Sequence, residues 1–335
     1  MEAIREIVIA RFGGAKTLGV TEAQRNLRPA AGEVSVRVTH SGINFADIQM
    51  RLGFYPDAPK RPFVPGYEVS GVIHEVGEGV TRFQPGDSVV AGTFFGGYTS
   101  KITLPEHQVL PLPAGMSLEA GAALPVNFFT SHLALFEMGR VREGDRVLIE
   151  CATGGVGTLA VQMAQRAGAH VVGLTTSPHK LSYIEGLGAQ AMTREAFEED
   201  PAVKDFDFIL NASGGAFVKR QKARLDLTGR MVCIGLNSGV KDGRRNFFRL
   251  GLAALRTPRV GLISLMNDNA GVFGLNALHV LDNERWVRRL VKAFEEGAVH
   301  RLNPHVDRVF PADAVSEAHH FLETKQAKGK VLLSW

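Results

Sequence analysis

The sequence Arg146-Val-Leu-Ile-Glu-Cys-Ala-Thr-Gly-Gly-Val-Gly157 is an apolar run that ends in glycines, and apolar residues at helical spacing follow it from Thr158. This order predicts a strand, a tight turn and a helix. The first amide groups of a helix lack partners and the helix dipole is positive there, so a turn without side chains lets a phosphate approach. The stretch therefore indicates a dinucleotide site whose contacts are Gly154, Gly155, Val156 and Gly157.

A second strand and a second helix follow this turn. Ala169–Thr175 is the predicted strand, and Ser177–Leu187 is the predicted helix. They begin within about thirty residues of the first strand, as a dinucleotide-binding βαβ unit requires. A glycine turn in an α/β unit without any ligand is the alternative, and the context favours the dinucleotide.

The end of the second strand indicates which dinucleotide to expect. Enzymes specific for NAD usually carry an Asp or Glu there, which binds the ribose 2′-hydroxyl and would repel the 2′-phosphate of NADP. The acid is absent here, and hydroxyl and ammonium donors stand in its place, at Thr175, Thr176, Ser177 and Lys180. The sequence therefore predicts NADPH, with Arg194 as a second candidate cation for the phosphate. A solvated helix position is the alternative role of Lys180.

The composition is that of an ordinary globular protein, with 335 residues of which 45% are hydrophobic and 21% charged. This length predicts two domains. Cys151 and Cys233 both fall in predicted buried strands, which favours a reducing compartment and argues against disulfides. We find no apolar signal sequence and no membrane-spanning run, so we expect a cytoplasmic protein. A net charge of +4 is too small to predict a nucleic-acid partner.

The basic charge is concentrated in one segment. Residues 241–259 contain a single acid, Asp242, among these cations: Lys241, Arg244, Arg245, Arg249, Arg256 and Arg259. Phe and Leu residues are interleaved with them, which predicts an amphipathic helix near 246–255. A solvated face, or arginines beside a cofactor phosphate, is the favoured interpretation. Peripheral contact with an anionic membrane is the alternative.

The chain changes its pattern near residue 127. Up to Pro125, short strands are separated by Gly and Pro turns, which predicts a compact, mainly β barrel domain. From Phe128 strands and helices alternate, which predicts an α/β domain with a doubly wound parallel sheet. The last strands and helices are expected to return to the first domain. The predicted domains are therefore 1–126 with 281–335, and 127–280.

Seven short motifs are spread over nearly the whole chain: Ser41-Gly-Ile-Asn-Phe-Ala-Asp47, Gly53-Phe-Tyr-Pro56, Val64-Pro-Gly-Tyr-Glu68, Val76-Gly-Glu-Gly-Val80, Pro85-Gly-Asp87, Gly154-Gly-Val-Gly157 and Gly329-Lys-Val-Leu-Leu333. Together they resemble the medium-chain dehydrogenase/reductase family, in its zinc-independent branch of quinone oxidoreductases, zeta-crystallins and vesicle amine transport protein homologues. The resemblance implies a GroES-like catalytic domain beside a Rossmann-type domain. The segment 246–279 is more similar to the vesicle-protein subgroup.

The motifs differ from those of zinc-dependent relatives at the metal ligands. Those relatives carry a Cys in the turn that corresponds to Ser41–Asp47, a His beside Glu68, and a cysteine cluster for a structural zinc. This chain has Asn44 and Tyr67 and no cysteine cluster, so we expect no metal. Without a Lewis acid, a quinone or an α,β-unsaturated carbonyl is the expected acceptor, because its conjugated system spreads the charge that a hydride brings.

The resemblance also implies roles for individual residues. Asn44 would lie near the nicotinamide and the substrate carbonyl, Tyr55 beside the substrate and Thr130 beside the nicotinamide. Each has a structural alternative: a capping box with Asp47 for Asn44, loop packing for Tyr55 and a helix cap for Thr130. The expected cofactor contacts outside the glycine turn and its phosphate donors are Asn211, Gly235, Leu236, Asn237, Phe273 and Lys330.

The sequence thus predicts an NADPH-dependent, zinc-independent reductase that transfers hydride to quinones or α,β-unsaturated carbonyls. Two alternatives remain open: an enoyl-thioester or alkenal reductase, and a low-turnover NADPH-binding protein associated with vesicles or membranes. The expected partners are a small-molecule quinone or enone and a second copy of the chain. The apolar stretch Val260–Leu265 is the predicted edge strand of this homodimer.

Overall fold

The computed structural model describes residues 1–235, 251 and 258–335. Leu236, Asn237 and most of the basic segment 241–259, including its predicted helix, lie outside this description. The chain divides into two compact units. The first contains Met1–Val126 and Val291–Trp335, and the second contains the described part of 127–290.

The first 126 residues form mainly strands. The elements are β1 (Glu2–Ile7), β2 (Val20–Arg25), β3 (Glu33–Ile43), α1 (Phe45–Leu52), β4 (Glu68–Val76), β5 (Ser88–Gly92), β6 (Lys101–Pro105), β7 (Val109–Pro111) and α2 (Leu118–Gly121). Val34, Val36 and Val38 of β3 are all buried, because alternate residues of a strand face the same side of a sheet. Val69 and Ile73 of β4 join them in one core.

Strands and helices alternate in the next part of the chain, as predicted. The elements are α3 (Pro125–His132), β8 (Arg146–Ile149), α4 (Gly155–Arg166), β9 (His170–Thr175), α5 (Leu181–Gly186), β10 (Gln190–Thr193), α6 (Arg194–Glu199), β11 (Phe206–Asn211), α7 (Phe217–Lys222), β12 (Leu225–Cys233), α8 (Leu262–Asp268), β13 (Gly271–Gly274), α9 (Ala277–Leu281) and α10 (Glu284–Ala293). The strands form a parallel sheet in the order β10-β9-β8-β11-β12-β13. This is the strand order of dinucleotide-binding folds, and it confirms the doubly wound Rossmann-type sheet.

The end of the chain completes the sheet of the first unit. Its elements are β14 (Val306–Pro311), α11 (Val315–Glu323) and β15 (Lys330–Ser334). β15 pairs with β14 in parallel and with β3 in antiparallel. The sheet has the order β14-β15-β3-β4-β5-β7, with β6 paired to β3. This mostly antiparallel sheet confirms the mainly β, GroES-like character predicted for the first unit.

The predicted edge strand Val260–Leu265 is wrong. Helix α8 begins at Leu262, and the last strand of the described parallel sheet is β13, which pairs with β12. A short apolar run has no periodicity that distinguishes a strand from a helix. Here Asn269, in the left-handed conformation that Asn tolerates, donates its N–H to carbonyl groups of the last turn and ends α8.

A buried ion pair joins α1 to α11 in the first unit. The Arg51 guanidinium contacts the Glu323 carboxylate, and the two side chains are 0% and 5% exposed. Burial lowers the pKa of Arg51, because the charged form loses its hydration. The pair therefore places two opposite charges in the interior of the first unit, and each charge compensates the lost hydration of the other.

We expect Arg51→Met to lower the free energy of unfolding by about 3–5 kcal/mol, because it leaves a buried carboxylate without a partner. The pair Arg5–Asp313, whose side chains are 40% and 72% exposed, provides the control. Arg5→Met should cost at most about 1 kcal/mol. Urea unfolding measures both losses, and equal losses would contradict the prediction. The double variant Arg51→Met/Glu323→Leu should recover much of the stability, because no charge is then buried.

Candidate functional site

Helix α4 begins at the carboxyl end of the central strand β8. β8 pairs with β9 on one side and with β11 on the other, so the strand order reverses here, and ligands of such sheets bind at the reversal. Gly154 is the N-cap, and its carbonyl accepts the N–H of Thr158 at 2.8 Å. The amide groups of residues 155–157 precede that bond and form the positive start of the helix.

The glycines of the turn have different surroundings. A Cβ atom at Gly157 would lie 2.2 Å from the carbonyl oxygen of Cys151, and one at Gly155 would lie 2.8 Å from the amide of Asn127. A Cβ at Gly154 would meet only the Cys151 oxygen, at 3.4 Å. The turn itself therefore requires Gly157, whereas Gly154 leaves open space before the helix start. That space suits the close approach of a pyrophosphate, so these residues fit a dinucleotide.

Cys151 lies in this turn and is exposed, not buried in a strand as the sequence predicted. Strand β8 already ends at Ile149. Cys151 has a φ of 56°, a conformation that turns the chain out of the sheet, and its carbonyl accepts the N–H of Gly154 at 2.9 Å. The apolar pattern continues past the strand end, which is why the sequence did not reveal the boundary.

The predicted phosphate donors lie on one short segment after β9. Thr175 ends the strand, and its hydroxyl accepts the N–H of Ser177 at 3.2 Å. Thr176 between them is exposed. Lys180 ends a short 3-10 turn before α5 and is buried, so the solvated helix position does not describe it.

Arg194 lies at the same edge of the sheet. β10 pairs with β9 so that Thr193 is opposite Thr175, and Arg194 follows directly. Its guanidinium carbon lies 3.6 Å from the centre of the Phe217 ring, and its Nε atom lies 3.3 Å from the Glu198 carboxylate. The ring and the carboxylate together hold the cation in place.

Glu150, directly after β8, is a buried carboxylate whose role the sequence analysis missed. Its Oε2 atom accepts the N–H groups of Ala212 at 2.9 Å and of Ser213 at 3.1 Å. Its Oε1 atom lies 3.9 Å from Nη1 of Arg194. The carboxylate thus connects the end of β8, the loop after β11 and Arg194. A single acid in an apolar run is the available sequence signal, because a buried charge requires partners.

Three neighbouring strands of the first unit bring Asn44, Glu68 and Lys330 together. β3 pairs with both β4 and β15; Asn44 follows β3, and Glu68 and Lys330 begin the other two strands. The Lys330 ammonium contacts Glu68 Oε1 and donates to Asn44 Oδ1 at 2.6 Å. Asn44 Nδ2 donates to the same Glu68 oxygen at 3.0 Å. We call these three residues the Asn44 cluster; Asn44 and Lys330 were predicted as site residues, whereas no site role was predicted for Glu68.

Asn44 also forms the cap that the sequence analysis considered. It is the N-cap of α1, and the Asp47 carboxylate accepts its backbone N–H at 2.7 Å. Its side-chain amide meanwhile faces Glu68 and Lys330. Burial raises the pKa of Asp47 to about 7, although the N–H groups of Asn44 and Gly66 donate to its carboxylate. Asn44 therefore takes part in both the capping box of α1 and the cluster.

Tyr55 and Tyr67 lie in an aromatic group with Phe95. The ring centroids of the two tyrosines are 6.2 Å apart, and those of Tyr67 and Phe95 are 5.3 Å apart. Burial raises the pKa of both tyrosines, so their hydroxyls stay protonated and can donate. Thr130 lies in the second unit, buried within α3 and not at its cap. The next residue, Ser131, donates its hydroxyl to the carbonyl of Val156 at 3.1 Å, which joins α3 to the glycine turn.

The remaining predicted cofactor contacts of the second unit lie at the end of β11, just after β12 and on β13. Asn211 ends β11 and is buried; its amide donates to Gln221 at 2.6 Å and its oxygen accepts the N–H of Gly214 at 2.9 Å. Both ends of this side chain are therefore used by the fold. Gly235 follows β12, and Phe273 is an exposed residue of β13.

Comparison with known proteins identifies the family. Residues 30–114 match the alcohol dehydrogenase GroES-like domain, and residues 187–333 match the zinc-binding dehydrogenase family. The human synaptic vesicle membrane protein VAT-1 homolog is 30% identical over 347 residues, which cover 98% of this chain and 86% of that protein. The chain belongs to the medium-chain dehydrogenase/reductase family of oxidoreductases. The resemblance inferred from the motifs is confirmed.

Two solved structures show the same dehydrogenase/reductase fold. The quinone oxidoreductase from Thermus thermophilus, also solved in its complex with NADPH, is 30% identical, with a TM-score of 0.79 over 99% of this chain and 100% of that one. The CurK enoyl reductase is 26% identical, with a TM-score of 0.82 over 99% of both chains. One is a quinone oxidoreductase and the other an enoyl reductase, so the fold alone does not identify the acceptor.

The groups around Asn44 are an amide, an ammonium and a carboxylate. Within residues 1–235, 251 and 258–335, no group of three or more His, Cys, Asp or Glu residues is placed to hold a metal ion. The cation that contacts Glu68 is the ammonium of Lys330.

Among the helices of residues 1–235 and 258–335, none combines the length and the apolar character that crossing a membrane requires.

We expect Gly157→Ala to destabilise the protein by about 1–3 kcal/mol or more, because the added methyl group overlaps the main chain of Cys151. Gly154→Ala is the matched control, since it has room for a Cβ and a φ of −86°. It should cost at most about 1 kcal/mol, the usual effect of Ala at an N-cap. Thermal unfolding compares the two variants, and similar midpoints would contradict the prediction.

Proposed function

We propose that the chain is an NADPH-dependent, zinc-independent reductase that transfers a hydride to quinones or α,β-unsaturated carbonyls. The observation that carries the proposal is the glycine turn at the strand-order reversal, which offers the amide groups of a helix start to a pyrophosphate. When bound, NADPH supplies the hydride, and the protein supplies position and electrostatics. Gly154, Gly155, Val156 and Gly157 would hold the pyrophosphate.

The residues after β9 support NADPH over NADH. Residues 175–180 contain no acid, so this segment does not repel a 2′-phosphate. Arg194, held by Glu198 and the Phe217 ring, adds a cation at the same edge of the sheet. The quinone oxidoreductase from Thermus thermophilus, solved with NADPH, supports the same choice.

The polar groups of the first unit support an acceptor that needs no metal. Asn44 can donate an N–H group, and Tyr55 keeps a protonated hydroxyl because burial raises its pKa. Such donors stabilise charge that develops on an oxygen, but they do not acidify an alcohol as zinc does. A quinone or an enone suits them, because its conjugated system shares the charge. Thr130 is the residue proposed beside the nicotinamide.

Two other functions have support of their own. The similarity to CurK enoyl reductase supports an enoyl thioester or an alkenal as the acceptor. The similarity to the VAT-1 homolog supports a low-turnover NADPH-binding protein at a vesicle or membrane surface. We also propose a cytoplasmic location, because Cys151 and Cys233 form no disulfide, as is usual for proteins of a reducing compartment.

We also propose a homodimer formed through the second unit. Helix α8 exposes Leu262, Ile263 and Met266, at 79%, 75% and 73% of their surface. Phe273 is exposed on β13, the last strand of the described sheet. Exposed strand edges and apolar patches are usually covered, and a second copy would cover both. A monomer in light scattering would contradict the dimer.

We expect Arg194→Ala to weaken NADPH binding about tenfold or more, because a charge-assisted hydrogen bond contributes about 1.5–3 kcal/mol. NADH binding should not change. Lys204→Ala, which removes an exposed cation, is the matched control and should change neither dissociation constant. Fluorescence titration measures the dissociation constants of NADPH and NADH for each variant. Lys180→Met tests the other candidate cation in the same way. Equal affinity of the unchanged protein for NADPH and NADH would refute the phosphate site.

We expect the absorbance of NADPH to fall when 9,10-phenanthrenequinone is added to the protein, and EDTA should leave the rate unchanged. Loss of activity with EDTA would contradict zinc independence. Faster turnover of 2-alkenals or of an enoyl thioester would support the enoyl reductase alternative. No turnover with any acceptor, together with co-sedimentation with anionic liposomes, would support the membrane-associated alternative.

A further inference from the structure

The ion pair of Lys330 and Glu68 is enclosed by the first unit. The side chains are 3% and 0% exposed. The second oxygen of the Glu68 carboxylate accepts the N–H of Val126 at 2.8 Å. A Cβ atom at Gly42 would lie 2.6 Å from the first oxygen, so the glycine leaves room for this carboxylate and little else. Glu68 is therefore held in one position.

The ion pair determines which way the Asn44 amide faces. An ammonium group only donates hydrogen bonds, and a carboxylate only accepts them. Lys330 therefore faces Oδ1 of Asn44 at 2.6 Å, and Glu68 accepts from Nδ2 at 3.0 Å. A flipped amide would place N–H groups against the ammonium and oxygen against the carboxylate, and both bonds would be lost. Charge thus sets the orientation.

This orientation leaves a donor for a ligand. The amide nitrogen of Asn carries two hydrogens, and Glu68 accepts one of them. The Lys330 ammonium on Oδ1 draws electron density from the amide and strengthens donation from Nδ2, because linked hydrogen bonds polarise one another. Asn44 itself is only partly buried, whereas the ion pair behind it is enclosed.

We propose that Lys330 and Glu68 are positioning residues that present the second Nδ2 hydrogen of Asn44 to the carbonyl oxygen of the acceptor. This inference rests on the proposed function. The acceptor gains a hydride from the cofactor, which is left as NADP⁺; its π electrons move to the carbonyl oxygen, and the resulting enolate or hydroquinone anion takes a proton from water. The polarised amide stabilises the charge on that oxygen at the moment when it develops.

Two other roles of Lys330 predict different effects of its substitution. As a cofactor contact, which the sequence predicted, it would contribute to NADPH binding. As a purely structural ion pair, it would contribute to stability alone. Its ammonium is enclosed and already contacts Glu68 and Asn44, which favours the positioning role.

A double-mutant cycle between Lys330 and Asn44 tests the proposal. Lys330→Met and Asn44→Ala should each lower kcat with a quinone about tenfold or more. The double variant should lose little beyond either single variant, because both act through the same donor. The dissociation constant of NADPH should change less than about twofold in Lys330→Met.

Lys101 offers a matched control. It is another buried lysine of the first unit, and it pairs with Glu2 at 2.7 Å. Lys101→Met should lower stability and leave kcat unchanged. In the cofactor-free protein, the side-chain amide resonances of Asn44 should shift in NMR spectra and exchange faster with water in Lys330→Met, but not in Lys101→Met.

Additive losses of kcat in the double variant would overturn the proposal, and so would a raised NADPH dissociation constant with an unchanged kcat. If Lys330→Met does not fold, Glu68→Gln replaces it in the cycle, because Gln offers both a donor and an acceptor and no longer fixes the amide. An unchanged kcat in Glu68→Gln would also overturn it. Absence of turnover in the unchanged protein with every acceptor would refute the proposed function instead, and the NMR comparison then decides the orientation of Asn44 by itself.

Discussion

The close approach of two main-chain segments after β8 is the constraint on which the second unit depends. The backbone at Gly157 lies so near the carbonyl of Cys151 that no side chain fits between them. This contact brings the start of α4 to the end of the central strand, where the Thr158 N–H bonds to Gly154. A helix that starts there directs its first amide groups and its positive end to the edge where parallel strands finish. One turn therefore produces both the packing of α4 and the candidate nucleotide site.

Each candidate site contains a buried carboxylate that accepts main-chain N–H groups and faces a cation. Glu150 accepts two main-chain N–H groups and faces Arg194. Glu68 accepts one main-chain N–H group and contacts Lys330. A buried charge is unfavourable unless donors and an opposite charge surround it. Glu68 holds Lys330, whereas Arg194 is held by Glu198 and the Phe217 ring, so in both sites less side-chain freedom is lost when a ligand binds.

The sequence predicted features that lie within one short window. The strand, turn and helix around Gly154 are of this kind, because the apolar run, the glycines and the helical spacing follow one another. β10 was missed because its four residues form no distinct pattern. The contacts of Lys330 with Glu68 and Asn44 depend on how β15 and β4 pair with β3. The register of strands that are far apart in the chain is not contained in any local pattern.

At the start of helix α1, the main chain and the side chain of Asn44 have different hydrogen-bond partners. The Asp47 carboxylate holds the backbone N–H of residue 44, while the amide of Asn44 bonds to Glu68 and Lys330. The carboxylate of Asp47 thus holds the helix start, while the Asn44 amide carries the polar contacts of the cluster. A single residue thereby couples the first turn of a helix to a buried pair of opposite charges, so any displacement of that helix start would also displace the amide.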